Sequence, residues 1–416
     1  MNHNTLILAV AAFATLGVIT RPLRLPEHVW AVVGAVVLIA CGFFPWRNAV
    51  AAAANGMDVY LFLIGMMLLA EVARQEGLFD WLAALAIRYA GGSARRLFLI
   101  IYAVGTLVTV FLSNDATAVV LTPAVYAAAT AARVEPLPYL FICAFIANAA
   151  SFVLPISNPA NLVIFGTHMP PLAQWLYEFT LPSIASILIT YLLLRFTLRA
   201  AVDQRISEDF QTEPLSVAGK YVAVGISLTA VVLLGASSFD RQLGLPTFIA
   251  GTAVTSIVLI ISRQSPLPVL RGISWGVLPL VAGLFILVAG VEQTGILNSV
   301  TQRLLNVEAY SPREASFGVG IILALASNLM NNLPTGLVAA TVSQSAHVPL
   351  QVTSGALIGV DLGPNLSVTG SLATILWLFA LRREGEVVTA GQFLKLGILV
   401  MPSALVVALL AITAVP

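Results

Sequence analysis

Eight tracts of this chain are apolar for long enough to make one helical crossing of a bilayer. They lie at about 4–20, 28–45, 56–75, 178–199, 219–237, 245–262, 275–292 and 391–413, and a crossing takes about 20 residues. Four more tracts are as apolar but broken by polar residues: 94–133 at Ser113-Asn114-Asp115, 137–167 across Asn148–Pro159, 313–346 at Asn328–Pro334, and 351–381 across Asp361–Gly370. The pattern predicts an all-α polytopic membrane protein with discontinuous helices at mid-membrane. Charged residues make up 9% of the 416 positions, against about 25% in soluble domains. The net charge of +1 excludes a basic surface for nucleic acid.

Cys41 and Cys143 lie far apart in apolar tracts with no Cys/His cluster, so neither a thiolate metal site nor a disulfide scaffold is expected, and no cofactor is implied. The N-terminal stretch has no basic region and no small-residue cleavage site, and it reads as the first span. Segments 78–90 and 297–306 look amphipathic and suit the interface.

The order of elements repeats. Three spans, a tract broken at a tip, a second broken tract and one span occur twice, and Gln75-Glu76-Gly77-Leu78-Phe79 is echoed by Gln293-Thr294-Gly295-Ile296-Leu297. The expected organisation is a first repeat at 1–200, a linker at 201–218 and a second repeat at 219–416. If 94–133 and 313–346 are re-entrant hairpins, each repeat crosses five times. An odd number inverts the second repeat, the plan of many secondary transporters.

Of the 20 Lys and Arg, all but Arg47, Arg241, Arg303 and Arg313 then fall on one side. The positive-inside rule makes that side cytoplasmic. Both termini face outward, the hairpin at 94–133 opens inward, and the one at 313–346 opens outward. Full spanning by the hairpin arms would leave the crossing parity unchanged.

Polar breaks at bilayer depth cannot face lipid, because unpaired backbone groups there cost several kcal/mol each. Half-helix ends at such breaks present free N–H and C=O groups to a polar solute. The first tip offers Ser113, Asn114, Asp115 and Thr117; its counterpart offers Asn328, Asn331, Asn332 and Thr335. The other two breaks offer Asn148, Ser151, Ser157, Asn158 and Asn161 against Asp361, Asn365, Ser367, Thr369, Ser371 and Thr374. Any one of these residues can serve its own helix instead, since Ser and Thr bond back and Asn caps. Four such clusters in corresponding places point to one shared site.

Intramembrane carboxylates are costly and usually mark an ion, proton or substrate path. Desolvation favours the neutral form of a carboxylic acid, the property a proton-coupling group needs. Asp115 and Asp361 are the candidates, although Asp also ligates sodium. No Lys, Arg or His falls in any break, so a neutral polyhydroxyl solute suits the lining better than a polycarboxylate. Glu71, Arg74 and Glu76 read as an interfacial charge cluster.

The motifs SNDATAVVLTP, NAASFVLPISNPAN, SNLMNNLPTG and DLGPNLSVTGSLATILW resemble ArsB-type arsenite efflux permeases of the ion-transporter superfamily over almost the whole chain. The resemblance implies export of trivalent arsenic and antimony hydroxides (arsenite, antimonite) against inward proton flow in a bacterial inner membrane. It also implies a scaffold plus a moving region built from hairpins and broken helices. Carried over by position, the functional residues are Asn114, Asp115, Asn148, Ser151, Asn158, Asn161, Asn331, Asn332, Asp361, Asn365 and Ser371. Two departures stand out. Asn148 occupies a place where some relatives have Asp, which shifts the proton load toward Asp115 and Asp361. The tips also lack the Ser-Asn-Thr of sodium-coupled carboxylate carriers.

No ATP-binding motif is present, so ATP drive would need a separate cytoplasmic ATPase subunit. A second copy of the chain is a further compatible partner. The rival readings are a sodium-coupled dicarboxylate carrier, a sodium/proton antiporter and an intramembrane aspartyl protease. The last lacks the Gly-x-Gly-Asp setting, because Asp361 follows Ile358-Gly359-Val360; no enzymatic role is expected.

Overall fold

The computed structural model describes residues 2–202, 214–239 and 241–414, and every regular element among them is helical. Most of the linker read at 201–218, with Arg205, lies outside the described residues.

Among the described residues, six helices are long and apolar enough to cross a membrane: His3–Thr20, Ala94–Phe111, Leu172–Thr197, Val217–Ser238, Gly244–Ser262 and Ala390–Ala414. Two bent pairs raise the number to eight, Trp46–Ala54 with Met57–Gln75 at 47° and Val277–Gln293 with Ile296–Asn306 at 78°. Their outward faces are apolar as well: Phe13, Leu192, Val231, Ile260 and Leu410 are all more than half exposed. A water-soluble bundle would place charges there. The chain is a multi-pass membrane protein.

The expected amphipathic segment at 78–90 is the helix Leu78–Ala90. The span expected at 28–45 differs. Its helix, Glu27–Ala40, stops early, and a separate helix, Trp46–Ala54, follows. Gly42 adopts φ +72° between them, and Pro45, with no N–H to donate, caps the new helix from outside.

Small residues let backbones meet. A Cβ on Gly65 would lie 2.3 Å from the Thr247 carbonyl oxygen, which joins Met57–Gln75 to Gly244–Ser262. A Cβ on Gly359 would lie 2.2 Å from the Gly320 carbonyl oxygen, which joins Leu350–Leu362 to Pro312–Met330. Without water to expel, helices in a bilayer associate through such close packing. The first pair belongs to a group with His3–Thr20, Glu27–Ala40, Val217–Ser238 and Val277–Gln293. The second belongs with the broken tracts, Leu172–Thr197 and Ala390–Ala414.

All four broken tracts are broken where their polar residues fall. Ala94–Phe111 ends at Ser113, and Pro312–Met330 ends at Asn331. Ser113 (φ +146°) and Asn331 (φ +75°) adopt backbone conformations that side-chain-bearing residues rarely take. Each chain then folds back on its incoming arm. Thr117 meets Thr109 through hydroxyls 2.8 Å apart, and Asn332–Ala346 packs along Pro312–Met330.

Candidate functional site

The helix Leu137–Ala149 ends one residue after Asn148, and after a single 3-10 turn at Pro155–Ser157 an α-helix resumes at Pro159–Phe165. The break leaves carbonyls without helical partners, and neighbouring groups supply donors, as burial demands. Asn161 Nδ2 donates to the carbonyls of Ser151 (2.9 Å) and Leu154 (3.2 Å). Ser186 Oγ donates to Ala149 O (3.0 Å), and Trp175 Nε1 to Phe152 O (3.2 Å). Asn158 caps the new helix by accepting from Ala160 N (3.0 Å).

The opposite break runs from Leu362 through a short turn at Gly363–Asn365 to Ser371, whose Oγ caps Leu372–Arg383 by accepting from Thr374 N (3.1 Å).

Side chains brace the two breaks across more than 200 positions of sequence. Asp361 Oδ2 accepts from Ser151 Oγ (2.7 Å) and Oδ1 accepts from Asn158 Nδ2 (2.8 Å). Asn148 Nδ2 donates to Asn365 Oδ1 (3.0 Å), and Asn365 Nδ2 donates to Phe145 O (3.0 Å). All these side chains are buried, Asp361 completely, and neither of Asp361's donors carries charge. Ser151 Oγ also stands 2.7 Å from Asn148 O.

The second tip is strapped to the second break. Asn332 N donates to Gly370 O (2.9 Å), Asn331 Nδ2 to Thr369 O (3.5 Å) and Asn328 Nδ2 to Gly363 O (2.9 Å), while Ser367 Oγ donates to Asn328 Oδ1 (2.6 Å). Thr335 and Thr117 bond back to carbonyls of their own segments, at Asn331 and Ser113.

All four breaks meet at one constriction. Asn114 and Asp115 of the first tip, Asn158 and Pro159, Asn332 and Leu333 of the second tip, and Leu372 and Ala373 surround a cavity of about 10 Å³, closed by Leu63 and Val277. That is room for about one water. Asn332 Oδ1 is buried without a hydrogen-bond partner among the described residues. Asp115 also borders a cavity of about 80 Å³ that runs past Ser113 to Glu71, Gly272 and Ser274. A chamber of about 540 Å³, with Asn55, Asp58, Gln242, Glu292 and Gln344 in its wall, lies toward the other end.

The helix Met57–Gln75 orders these spaces. Asp58 and Val59 face the large chamber, Leu63 the constriction, and Met66 to Glu71 the smaller cavity. At 1.5 Å per residue the series covers roughly 20 Å.

Among the sequence candidates, Asn114, Asp115, Asn158 and Asn332 line the constriction. Asn148, Ser151, Asp361 and Asn365 form the brace behind it. Ser113, Thr117, Asn161, Asn331, Thr335 and Ser371 cap or satisfy backbone. Glu71 was read from sequence as interfacial, yet it is 6% exposed. Its carboxylate accepts from Arg74 Nε (2.8 Å), Arg74 Nη2 (2.5 Å) and Gln75 Nε2 (2.7 Å). Gly272 makes room for it: a Cβ there would lie 2.0 Å from Glu71 Oε1. The i, i+3, i+4 spacing of Glu71, Arg74 and Gln75 on one helix face was the available signal.

The family described as "Citrate transporter" matches residues 10–360. Curated relatives include an Arsenical pump membrane protein of Escherichia coli, 25% identical over 92% of each chain, and another from the same species, 29% identical over 84% of each. A Putative arsenical pump membrane protein of Bacillus subtilis is 24% identical over 92% of this chain and 93% of its own. Among solved structures, the YdaH transporter of Alcanivorax borkumensis, described as having an unusual topology, aligns with a TM-score of 0.58. It is 15% identical, over 88% of this chain and 87% of that one.

Proposed function

The chain belongs to the citrate-transporter family of membrane transporters, and from that premise we propose that it exports neutral trivalent arsenic and antimony hydroxides in exchange for protons. The observation that carries this reading is the constriction. Its polar wall is made of Asn114, Asn158, Asn332 and Asp115, with no Lys, Arg or His. The unpartnered Asn332 Oδ1 is an acceptor waiting for a donor, and a solute hydroxyl supplies one. A tricarboxylate would need cationic contacts that this wall lacks. The relatives named as arsenical pumps support the same cargo.

Thiolate chemistry is not required. Cys143 is buried within Leu137–Ala149, its thiol directed at Tyr139 O, and Cys41 is exposed. Neither lines the constriction.

In this reading the end bearing Arg74 is cytoplasmic and both termini are outside. Arsenous acid enters through the cavity beside Glu71. Protons enter from the chamber holding Asp58 and Glu292, load Asp115 and Asp361, and leave inward. The braced breaks move with the tips against the other helices, so that the constriction faces one chamber at a time. One proton in per neutral solute out moves net charge, and 100 mV then supplies about 2.3 kcal/mol, roughly a fiftyfold gradient. A second copy of the chain and a cytoplasmic ATPase subunit remain compatible with this plan.

The test is arsenite accumulation in everted vesicles under an imposed proton gradient. Asp115→Asn abolishes proton-driven accumulation while the protein keeps its wild-type melting behaviour; normal transport removes Asp115 from the mechanism. The family's description as a citrate transporter favours a second reading, a sodium-coupled anion carrier. Sodium-dependent citrate uptake that is indifferent to arsenite decides for it.

A further inference from the structure

A second large cavity lies away from the constriction and shares none of its wall. It measures about 730 Å³ and is bounded on one side by the turn between the first two helices, on the other by the second broken tract. Ile19, Leu25, Ile375 and Leu378 give it apolar walls. Two arginines stand in the wall as well: Arg21 from the first side and Arg382 from the second.

These two guanidinium groups gather around one ring. Arg21 Cζ is 5.2 Å and Arg382 Cζ 5.7 Å from the Phe379 centroid, within cation–π range. Glu27 pairs with Arg21, which leaves Arg382 and one net positive charge. Arg21 Nε is buried with no acceptor among the described residues. Burial, and then the neighbouring Arg382, lower the Arg21 pKa to about 10.

We propose that this cavity binds the headgroup of an anionic phospholipid, its phosphate between Arg21 and Arg382 and its chains along the apolar walls. Arginine suits a phosphodiester because its planar fork donates to two oxygens at once. The apolar walls favour an amphiphile over a free anion. The end of the molecule concerned carries most of the basic residues, where anionic headgroups concentrate. The cargo reading does not account for this cavity, which shares no lining residue with the constriction.

The site has a consequence for transport. Arg21 and Glu27 belong to the first two helices. Thr369, in the opposite wall, accepts from Asn331 Nδ2 and donates from its hydroxyl to Asn328 O (3.2 Å). A bound lipid therefore ties the first helices to the strap that holds the second tip, and favours the arrangement in which the two arginines are close.

The experiment uses the full chain purified in a neutral detergent. Its melting midpoint is followed while dioleoyl-phosphatidylglycerol, dioleoyl-phosphatidylcholine or inorganic phosphate is titrated in. Phosphatidylglycerol stabilises the wild type, whereas phosphatidylcholine and millimolar phosphate do not. Arg21→Gln also breaks the Glu27 contact, so the exposed Arg382 carries the test. Arg382→Gln moves the phosphatidylglycerol midpoint to roughly fivefold higher concentration, and Leu378→Trp, which pushes a larger ring into the cavity, weakens it too. Three results overturn the proposal: equal protection by phosphatidylcholine, full protection by phosphate alone, or an unchanged phosphatidylglycerol midpoint in Arg382→Gln.

Discussion

Replacing Asn332 with leucine separates a binding role from a structural one, because the two predict opposite effects on stability. Asn332 is 3% exposed, and its Oδ1 has no partner at the constriction. A buried acceptor left unmade costs about 1–3 kcal/mol. Leucine has a similar reach, fills the same space and carries no such penalty. The backbone N–H that holds the second tip to Gly370 O, at 2.9 Å, is untouched. The variant therefore gains on the order of 1 kcal/mol and melts a degree or more above the wild type. Transport changes in the other direction. A hydrogen bond from cargo hydroxyl to Oδ1 is worth about 0.5–1.5 kcal/mol, so apparent arsenite affinity falls roughly 2- to 12-fold. The assay is a melting curve in detergent beside a concentration series of arsenite accumulation in everted vesicles. A less stable variant, or one with unchanged apparent affinity, refutes the reasoning that this oxygen is an acceptor kept for the cargo.

Other outcomes follow from the same geometry. The Ser151 hydroxyl has one proton but two acceptors at 2.7 Å, Asn148 O and Asp361 Oδ2, so it turns to the carboxylate when Asp361 is ionised and to the carbonyl when Asp361 carries a proton. Bonds to a charged group exceed neutral ones by about 1 kcal/mol; Ser151→Ala slows proton-driven arsenite flux roughly fivefold, and Ser151→Thr restores it, whereas equal rates in all three would dissolve the coupling. The double variant Cys41→Ala with Cys143→Ala keeps wild-type accumulation; a lost signal in a well-folded sample would bring thiolates back into the path. Gly359→Ala forces a methyl against the Gly320 carbonyl, where 2.2 Å separates them, and lowers stability by about 1–3 kcal/mol; an unshifted melting curve would mean that the two helices do not meet this closely.

The breaks were legible because their residues are chemically out of place. Asn, Asp, Ser and Pro within apolar tracts marked Ser113, Asn148, Asn331 and Asp361 as interruptions, and chain breaks lie at or beside them. Local signals were weaker where the apolar pattern continued through a bend. Gly42 and Pro45 sit inside an apolar run, so the end of Glu27–Ala40 is hidden, and the alanine-rich Trp46–Ala54 is only 9 residues long. Partner choice was not legible at all. Asn148 meets Asn365 across 217 positions and Ser151 meets Asp361 across 210, and no periodicity encodes pairings that distant. Glu71 was misread for the same reason: a charged residue near a helix end looks solvated until Gly272 is known to stand against it.

The two acids are held differently, and this decides which one exchanges protons first in the proposed cycle. Asp361 accepts two short hydrogen bonds and borders neither the constriction nor the cavities beside it. A proton reaches it only if Ser151 or Asn158 turns away. Asp115 borders both the constriction and the 80 Å³ cavity. Its tip is also less tied: Ser157 Oγ reaches Val110 O at 3.0 Å, while among the described residues the second tip has five bonds to its own break and turn. Proton exchange at Asp115 therefore needs only water in the cavity, whereas exchange at Asp361 needs the brace to open. A solute that drew the Asn158 amide from Asp361 Oδ1 would remove a donor that favours the ionised carboxylate, so solute and proton would bind together and the gradient would leak. Exchange therefore requires the Asn158 bond to stay made while the solute is bound.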